Sequence, residues 1–159
     1  MNNEEFETLA KRHMDMVFRL AFNYMKSASD ADDVTQNVLL RLLKNGKPFA
    51  SGEHARYWLV RVTVNECRRA LRSPWRRVGD IGEYAESLQF ETPEHSELFY
   101  AVMELPEKYR TAIYLHYYEG YSTKEIAEII GVPAATVRTR LRRAREQLKT
   151  GLKEAGSNV

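Results

Sequence analysis

Residues 121–149 read YSTKEIAEIIGVPAATVRTRLRRAREQLK, and this stretch decides the fold because it sets a helix, a glycine turn and a second, arginine-rich helix in order. Ile126, Ala127 and Ile130 give the first of these helices an apolar face. Gly131 supplies the residue that takes positive φ where that helix stops, and Pro133 fits the opening turn of the next, where its missing N–H is not needed. In the second helix Val137, Leu141, Ala144 and Leu148 recur at four, three and four residues and form one inward stripe. At about 100° per residue, Thr136, Thr139, Arg142 and Arg143 point away from that stripe, and Arg138, Arg140 and Arg145 flank it. Between Arg138 and Lys149 six basic residues face Glu146 alone, a local charge of 6 − 1 = +5. A solvated helix face mixes its signs; an arginine face directly after a helix-turn-helix hinge is the pattern of a major-groove reader, since the guanidinium fork fits guanine edges and phosphates.

Working outward, the rest of the chain reads as helices too. A first helix is predicted over Asn3 to Met25, with Phe6, Leu9, His13, Met16, Val17, Leu20 and Tyr24 at three- and four-residue steps and Met14, Phe18 and Phe22 thickening the apolar side. His13 is read as a core residue. Ser29 and Asp32 have capping-box spacing and open a second helix that runs to Asn45 and Gly46. Val34, Val38, Leu39, Leu42 and Leu43 serve its core, while Asp33, Gln36, Asn37, Leu40 and Lys44 share the opposite face. A leucine in the middle of that polar face is what a partner surface explains.

The loop Lys47 to His54 leads to a third helix, Ala55 to Arg72, which Ser73-Pro74 ends. Trp58, Leu59, Val62 and Ala70 form its inward face, with Val60, Val64, Cys67 and Leu71 alongside. Tyr57, Arg61, Asn65, Arg68 and Arg72 fall on another stripe, which combines cations, an amide and a stacking ring, the ingredients for holding single-stranded DNA. Residues 76–95, with Gly79, Gly82, Pro93 and no apolar period, are read as a flexible linker. Helices are then predicted over Ser96 to Met103 and Pro106 to Tyr118, the second supplying Tyr109, Ala112, Ile113, Leu115, His116, Tyr117 and Tyr118 as apolar mass for the last two to pack on. The fold class is therefore all-α, with two small helical domains, residues 1–75 and 96–153, joined by an acidic linker.

Composition agrees with soluble globular protein: 159 residues, 43% hydrophobic and 29% charged. The net charge is only +2 but is unevenly placed: residues 56–77 hold seven arginines and one glutamate, residues 78–104 seven acids and no lysine or arginine. Two cationic surfaces separated by an acidic connector follow. No apolar run reaches the length of about 18 residues that spans a bilayer, and the N-terminus begins Asn2, Asn3, Glu4, Glu5, so a cytoplasmic location without membrane insertion is expected. Cys67 is the single cysteine, and the histidines at 13, 54, 95 and 116 have no metal-ligand spacing, so neither a metal nor a cofactor is expected. Asp32 and Asp33 at a helix start read as capping acids, against an alternative as metal ligands of a DNA-processing enzyme. A Walker-type phosphate loop is missing from the sequence.

Three blocks, DADDVTQNVLLRLLK at 30–44, YWLVRVTVNECRRALR at 57–72 and LPEKYRTAIYLHYYEGYSTKEIAEIIGVPAATVRTRLRRAREQL at 105–148, give the chain a resemblance along nearly its whole length. It resembles the extracytoplasmic-function (ECF) sigma factors, group 4 of the bacterial sigma-70 family. The resemblance implies a non-enzymatic transcription initiation factor. Asp33, Gln36, Asn37 and Leu40 would dock on the clamp helices of the RNA polymerase largest subunit. Tyr57, Arg61, Asn65, Arg68 and Arg72, with a base pocket from Phe49, Ser51 and His54, would read the minus-10 element as opened single strand. Arg138, Thr139, Arg142 and Arg143 would approach bases of the minus-35 duplex, with Ser122, Lys124, Thr136 and Arg145 on phosphates. It further implies an anti-sigma partner covering these surfaces, and the short stretch after Leu148 is expected to carry no appended sensor domain. A stand-alone helix-turn-helix regulator is the alternative reading, and it leaves the second and third helices without a role.

Overall fold

The computed structural model describes residues 2–73 and 92–154, the latter without the side chains of 93–95 and 153–154. The described residues form helices and no strand, so the chain is all-α. It divides into two compact units, residues 1–81 and 82–159.

In the first unit α1 (Asn3–Met25) opens on a capping box, in which the Asn2 side chain accepts from Glu5 N–H at 2.9 Å and the Glu5 carboxylate accepts from Asn2 N–H. It ends at Lys26, a non-glycine residue at φ 57° whose N–H donates to the Phe22 carbonyl at 2.9 Å. The chain therefore turns within two residues into α2 (Ala28–Lys44). Its cap is Ser27, whose hydroxyl accepts from Asp30 N–H at 3.2 Å, and not Ser29 as its spacing to Asp32 predicted. Both serines have an aspartate three residues on; the left-handed Lys26 makes Ser27 the first residue free to cap. The helix α3 (Gly52–Leu71) starts three residues before the expected Ala55, because the Ser51 hydroxyl caps it by accepting from His54 N–H at 3.1 Å.

These three helices pack on one another around Leu20, Tyr24, Met25, Val38, Leu42, Leu59, Val60, Val64 and Cys67, all buried. Burial at about 25 cal/mol per Å² of apolar surface makes this cluster the main stabiliser of the unit. Leu43, assigned to the core from its spacing, is exposed, and so is Met14; Trp58, Val62 and Ala70 are only half-buried. In place of these the core admits Thr63, whose hydroxyl donates to the Leu59 carbonyl at 2.7 Å, and Glu66.

The second unit holds α4 (Pro93–Glu104), α5 (Glu107–Ile113), a π-helical turn at Tyr114–Tyr118, α6 (Thr123–Ile130) and α7 (Ala134–Glu154). Proline at the head of α4 places its start at 93 instead of 96, since its missing N–H costs nothing there. The linker expected over 76–95 falls outside the described residues up to 91. In the π turn the Glu119 N–H reaches back five residues to the Tyr114 carbonyl at 3.2 Å. Tyr117 and Tyr118 are exposed there, not core as predicted, while Tyr109, Ala112, Ile113, Tyr114 and Leu115 stay buried. Arg110 is buried as well, its Nη1 donating to the Leu105 carbonyl at 2.8 Å.

Candidate nucleic-acid interface

The turn between α6 and α7 has the predicted build. Ser122 caps α6 in a capping box with Glu125, each reaching the other's N–H at 3.1 and 3.0 Å. Gly131 closes that helix at φ 73°, and the N–H groups of Gly131 and Val132 both donate to the Ala127 carbonyl, at 2.8 and 3.1 Å. Pro133 precedes α7 and its carbonyl accepts from Thr136 and Val137 N–H, starting the helix. Ile126, Ile129 and Ile130 are buried on one side of the turn, Val137, Leu141, Ala144 and Leu152 on the other; Ala127 and Leu148, assigned to these faces, are half-buried.

Seating α7 on that stripe leaves Arg138, Arg142, Arg143 and Arg145 exposed, with Lys124 exposed on α6 and Thr136 and Thr139 half-buried. The Thr139 hydroxyl donates to the Ala135 carbonyl at 3.1 Å, so its methyl and oxygen are held against the helix. Arg145 Nη1 donates to the Tyr117 hydroxyl at 2.9 Å, a contact that ties the arginine face to the π turn. Sequence spacing held no sign of it, because the π turn sets which way Tyr117 faces.

In the first unit the expected loop pocket is an aromatic cluster. The Phe49 ring lies edge-on to His54 at 5.4 Å and to Trp58 at 5.5 Å, and Ala50 N–H donates to His54 Nδ1 at 2.9 Å. Phe49, Ser51 and His54 are thus brought together, Ser51 and His54 by the cap of α3. Trp58, read as core, is the third ring of that cluster. Along α3 the Arg61 guanidinium stands 5.9 Å from the Tyr57 ring centroid, a cation–π contact that holds both for stacking. Asn65 and Arg72 are exposed, and Arg72 Nε donates to the Arg68 carbonyl at 3.3 Å. On α2 Asp33, Gln36, Asn37 and Leu40 are all exposed, and Leu43 extends that face.

Residues 9–77 match Sigma-70 region 2 and residues 95–148 match Sigma-70, region 4. Relatives match over most of the length: the ECF RNA polymerase sigma-E factor of Haemophilus influenzae is 34% identical over 93% of this chain and 87% of its own. The chain belongs to the ECF sigma factors of the sigma-70 family. The ECF RNA polymerase sigma factor SigM of Mycobacterium tuberculosis is 32% identical over 97% of this chain and 81% of the relative. Against SigE of Mycolicibacterium smegmatis, 29% identical, this sigma factor spans 64% of the relative's length. Among solved structures the fold is similar to the sigma factor RpoE of Bartonella quintana in complex with the anti-sigma factor NepR, with a TM-score of 0.75 at 21% identity over 94% of this chain and 98% of that one. It is also similar to CnrH in complex with the cytosolic domain of CnrY, with a TM-score of 0.66 at 26% identity over 96% and 90%. Among the described residues no helix is long and apolar enough to cross a membrane, and no cluster of His, Cys, Asp and Glu could hold a metal ion.

Proposed function

We propose that this chain binds core RNA polymerase in the cytoplasm, directs it to promoters and helps open the minus-10 region, without catalysing a reaction itself. The observation that carries the reading is the presence in one chain of two different cationic faces. One is the arginine face of α7, mounted behind a helix-turn-helix; the other is the aromatic, amide and arginine stripe of α3 beside the Phe49–His54–Trp58 cluster. The first has the shape of a duplex reader and the second of a single-strand holder.

In this reading the unit of residues 1–75 is the polymerase-binding and minus-10 domain, 76–95 the linker and 96–153 the minus-35 domain. Asp33, Gln36, Asn37 and Leu40 meet the clamp helices of the largest subunit. Phe49, Ser51 and His54 take a flipped base, and Tyr57, Arg61, Asn65, Arg68 and Arg72 carry the opened strand. Unstacking a base costs a few kcal/mol, and stacking on an aromatic ring returns about 1–3 kcal/mol, so stacking on this ring cluster offsets the opening without nucleotide hydrolysis. On the duplex, Arg138, Thr139, Arg142 and Arg143 approach bases, while Ser122, Lys124, Thr136 and Arg145 hold phosphates. The similar RpoE structure is a complex with an anti-sigma factor, which supports an anti-sigma partner here as well.

Run-off transcription with core polymerase over a promoter library tests the reading. Transcripts that depend on both the chain and specific minus-35 and minus-10 sequences are expected. Tight binding to a palindromic duplex without polymerase, and no transcripts, would replace it with a stand-alone regulator.

A further inference from the structure

Glu66 lies on α3 with 5% of its side chain exposed, and a buried carboxylate is tolerated only when cations and donors reach it. Arg41 of α2 reaches it through Nε, and Arg69, three residues along α3, through Nη1 at 3.7 Å. These three residues line a hollow of about 620 Å³ together with Asn65, Arg68 and Arg72. Four guanidiniums and one carboxylate leave a formal charge of 4 − 1 = +3 in that hollow. Arg41, Arg69 and Arg72 carry five N–H donors each, and the Glu66 carboxylate and the Arg68 carbonyl take up few of these. Positive charges gathered this closely favour an anion among them, and arginine's planar fork matches the oxygens of a phosphate group.

We propose that the hollow between α2 and α3 is a phosphate subsite, which takes a backbone phosphodiester of the single strand lying along α3, with Glu66 as a positioning residue that fixes Arg41 and Arg69 as its walls. The inference rests on the reading of α3 as a single-strand surface and adds Arg41, Arg69 and Glu66 to it. Because Arg41 comes from α2, the strand is gripped across two helices, beside the face that carries Asp33 and Asn37; a second hollow, lined by those two residues, shares Glu66 and Arg69 with the first.

Glu66 makes the sign of the effect informative. Glu66→Gln raises the local charge by one, so a carboxylate that only neutralises arginines predicts tighter strand binding in the variant. A carboxylate that positions them predicts weaker binding.

The test uses the full chain with core polymerase and a labelled minus-10 single strand. Arg41→Gln with Arg69→Gln, which removes the charges and keeps N–H donors for Glu66, is expected to weaken retention of the strand on the order of tenfold, to flatten the salt dependence by roughly 0.7 for each phosphate no longer neutralised, and to leave minus-35 duplex binding and the circular dichroism spectrum of the folded chain unchanged. Glu66→Gln is expected to weaken strand binding too. In a second arm inorganic tripolyphosphate should raise the melting temperature of the chain alone, and the double arginine variant should shrink that rise, the remainder belonging to the arginine face of α7. Strand retention that the variants do not change, or that Glu66→Gln strengthens, overturns the proposal. A tripolyphosphate effect that needs the arginines while strand binding ignores them would assign the hollow to a free phosphorylated compound, which also overturns it. If the unaltered chain holds no strand at all but the tripolyphosphate arm behaves as expected, the anion site stands and the sigma-factor reading of α3 fails instead.

Discussion

The hydroxyl of Tyr117 accepts a hydrogen bond from Arg145 Nη1 at 2.9 Å across 28 positions of sequence, so an exposed arginine of α7 is already restrained before any DNA arrives. Ordering a long side chain on binding costs about 0.5–1.5 kcal/mol, and this contact removes part of that cost in advance. Tyr117→Phe should therefore weaken minus-35 duplex binding by about 0.5 kcal/mol in fluorescence anisotropy, and should do nothing in an Arg145→Ala background. Equal losses in both backgrounds would mean that the tyrosine acts on DNA by itself.

Arg143 is exposed on the α7 face and is assigned a base. Arg143→Ala is expected to lose roughly 1–3 kcal/mol of discrimination at one position of the minus-35 element. The readout is affinity across a set of single-base promoter variants; a uniform loss across the set would move Arg143 to a phosphate.

Leu40 is 51% exposed, so it contributes little to the core. Leu40→Asp should impair capture of core polymerase by pull-down and leave the melting temperature within about 2–4 °C, since surface changes usually stay inside about ±0.5 kcal/mol. Leu43, equally exposed one turn further on, should behave the same way.

Gly131 sits at φ 73° with open space where a Cβ would stand, so a side chain there meets strain from the backbone alone. Gly131→Ala should destabilise the second unit by about 1 kcal/mol, and Gly131→Asn by less, because asparagine tolerates the left-handed region. Thermal unfolding followed by circular dichroism orders the three.

His13 is buried and its Nε2 has no hydrogen-bond partner among the described residues. Burial first, then the charges of Arg12 and Arg56, holds its pKa below the usual 6.5, with Glu53 pulling the other way. The folded chain thus resists a proton that the unfolded chain accepts. Stability should be full above pH 6.5 and fall as pH drops below it, by at most about 1.4 kcal/mol per pH unit for one proton. Denaturant titrations at about pH 7.5 and about pH 5.5, on either side of the free imidazole's range, should show the loss, and His13→Leu should shrink it.

Helix order and the helix-turn-helix were legible because apolar spacing and the Gly131–Pro133 punctuation are local signals. The whole exposed face of α2 named from sequence is exposed in the structure, as are Arg138, Arg142, Arg143 and Arg145. What spacing missed depends on tertiary context. Leu43 and Met14 lie at core-like intervals, yet both side chains stay exposed. Tyr117 and Tyr118 were displaced outward by the π turn, which sets Glu119 N–H on a carbonyl five residues back and breaks the 3.6-residue count. Glu66 and Arg110 are charged residues that burial makes costly, so composition argued for exposure; the arginines at 41 and 69 account for the first, and the Leu105 carbonyl is one partner of the second.

The corner at Lys26 has one more effect. With two residues between α1 and α2, the contacts that join this pair are near neighbours along the chain, so the loop to be closed is almost nil. The hairpin can assemble as it leaves the ribosome, ahead of α3, and the arginine stripe then condenses onto a partner that already exists.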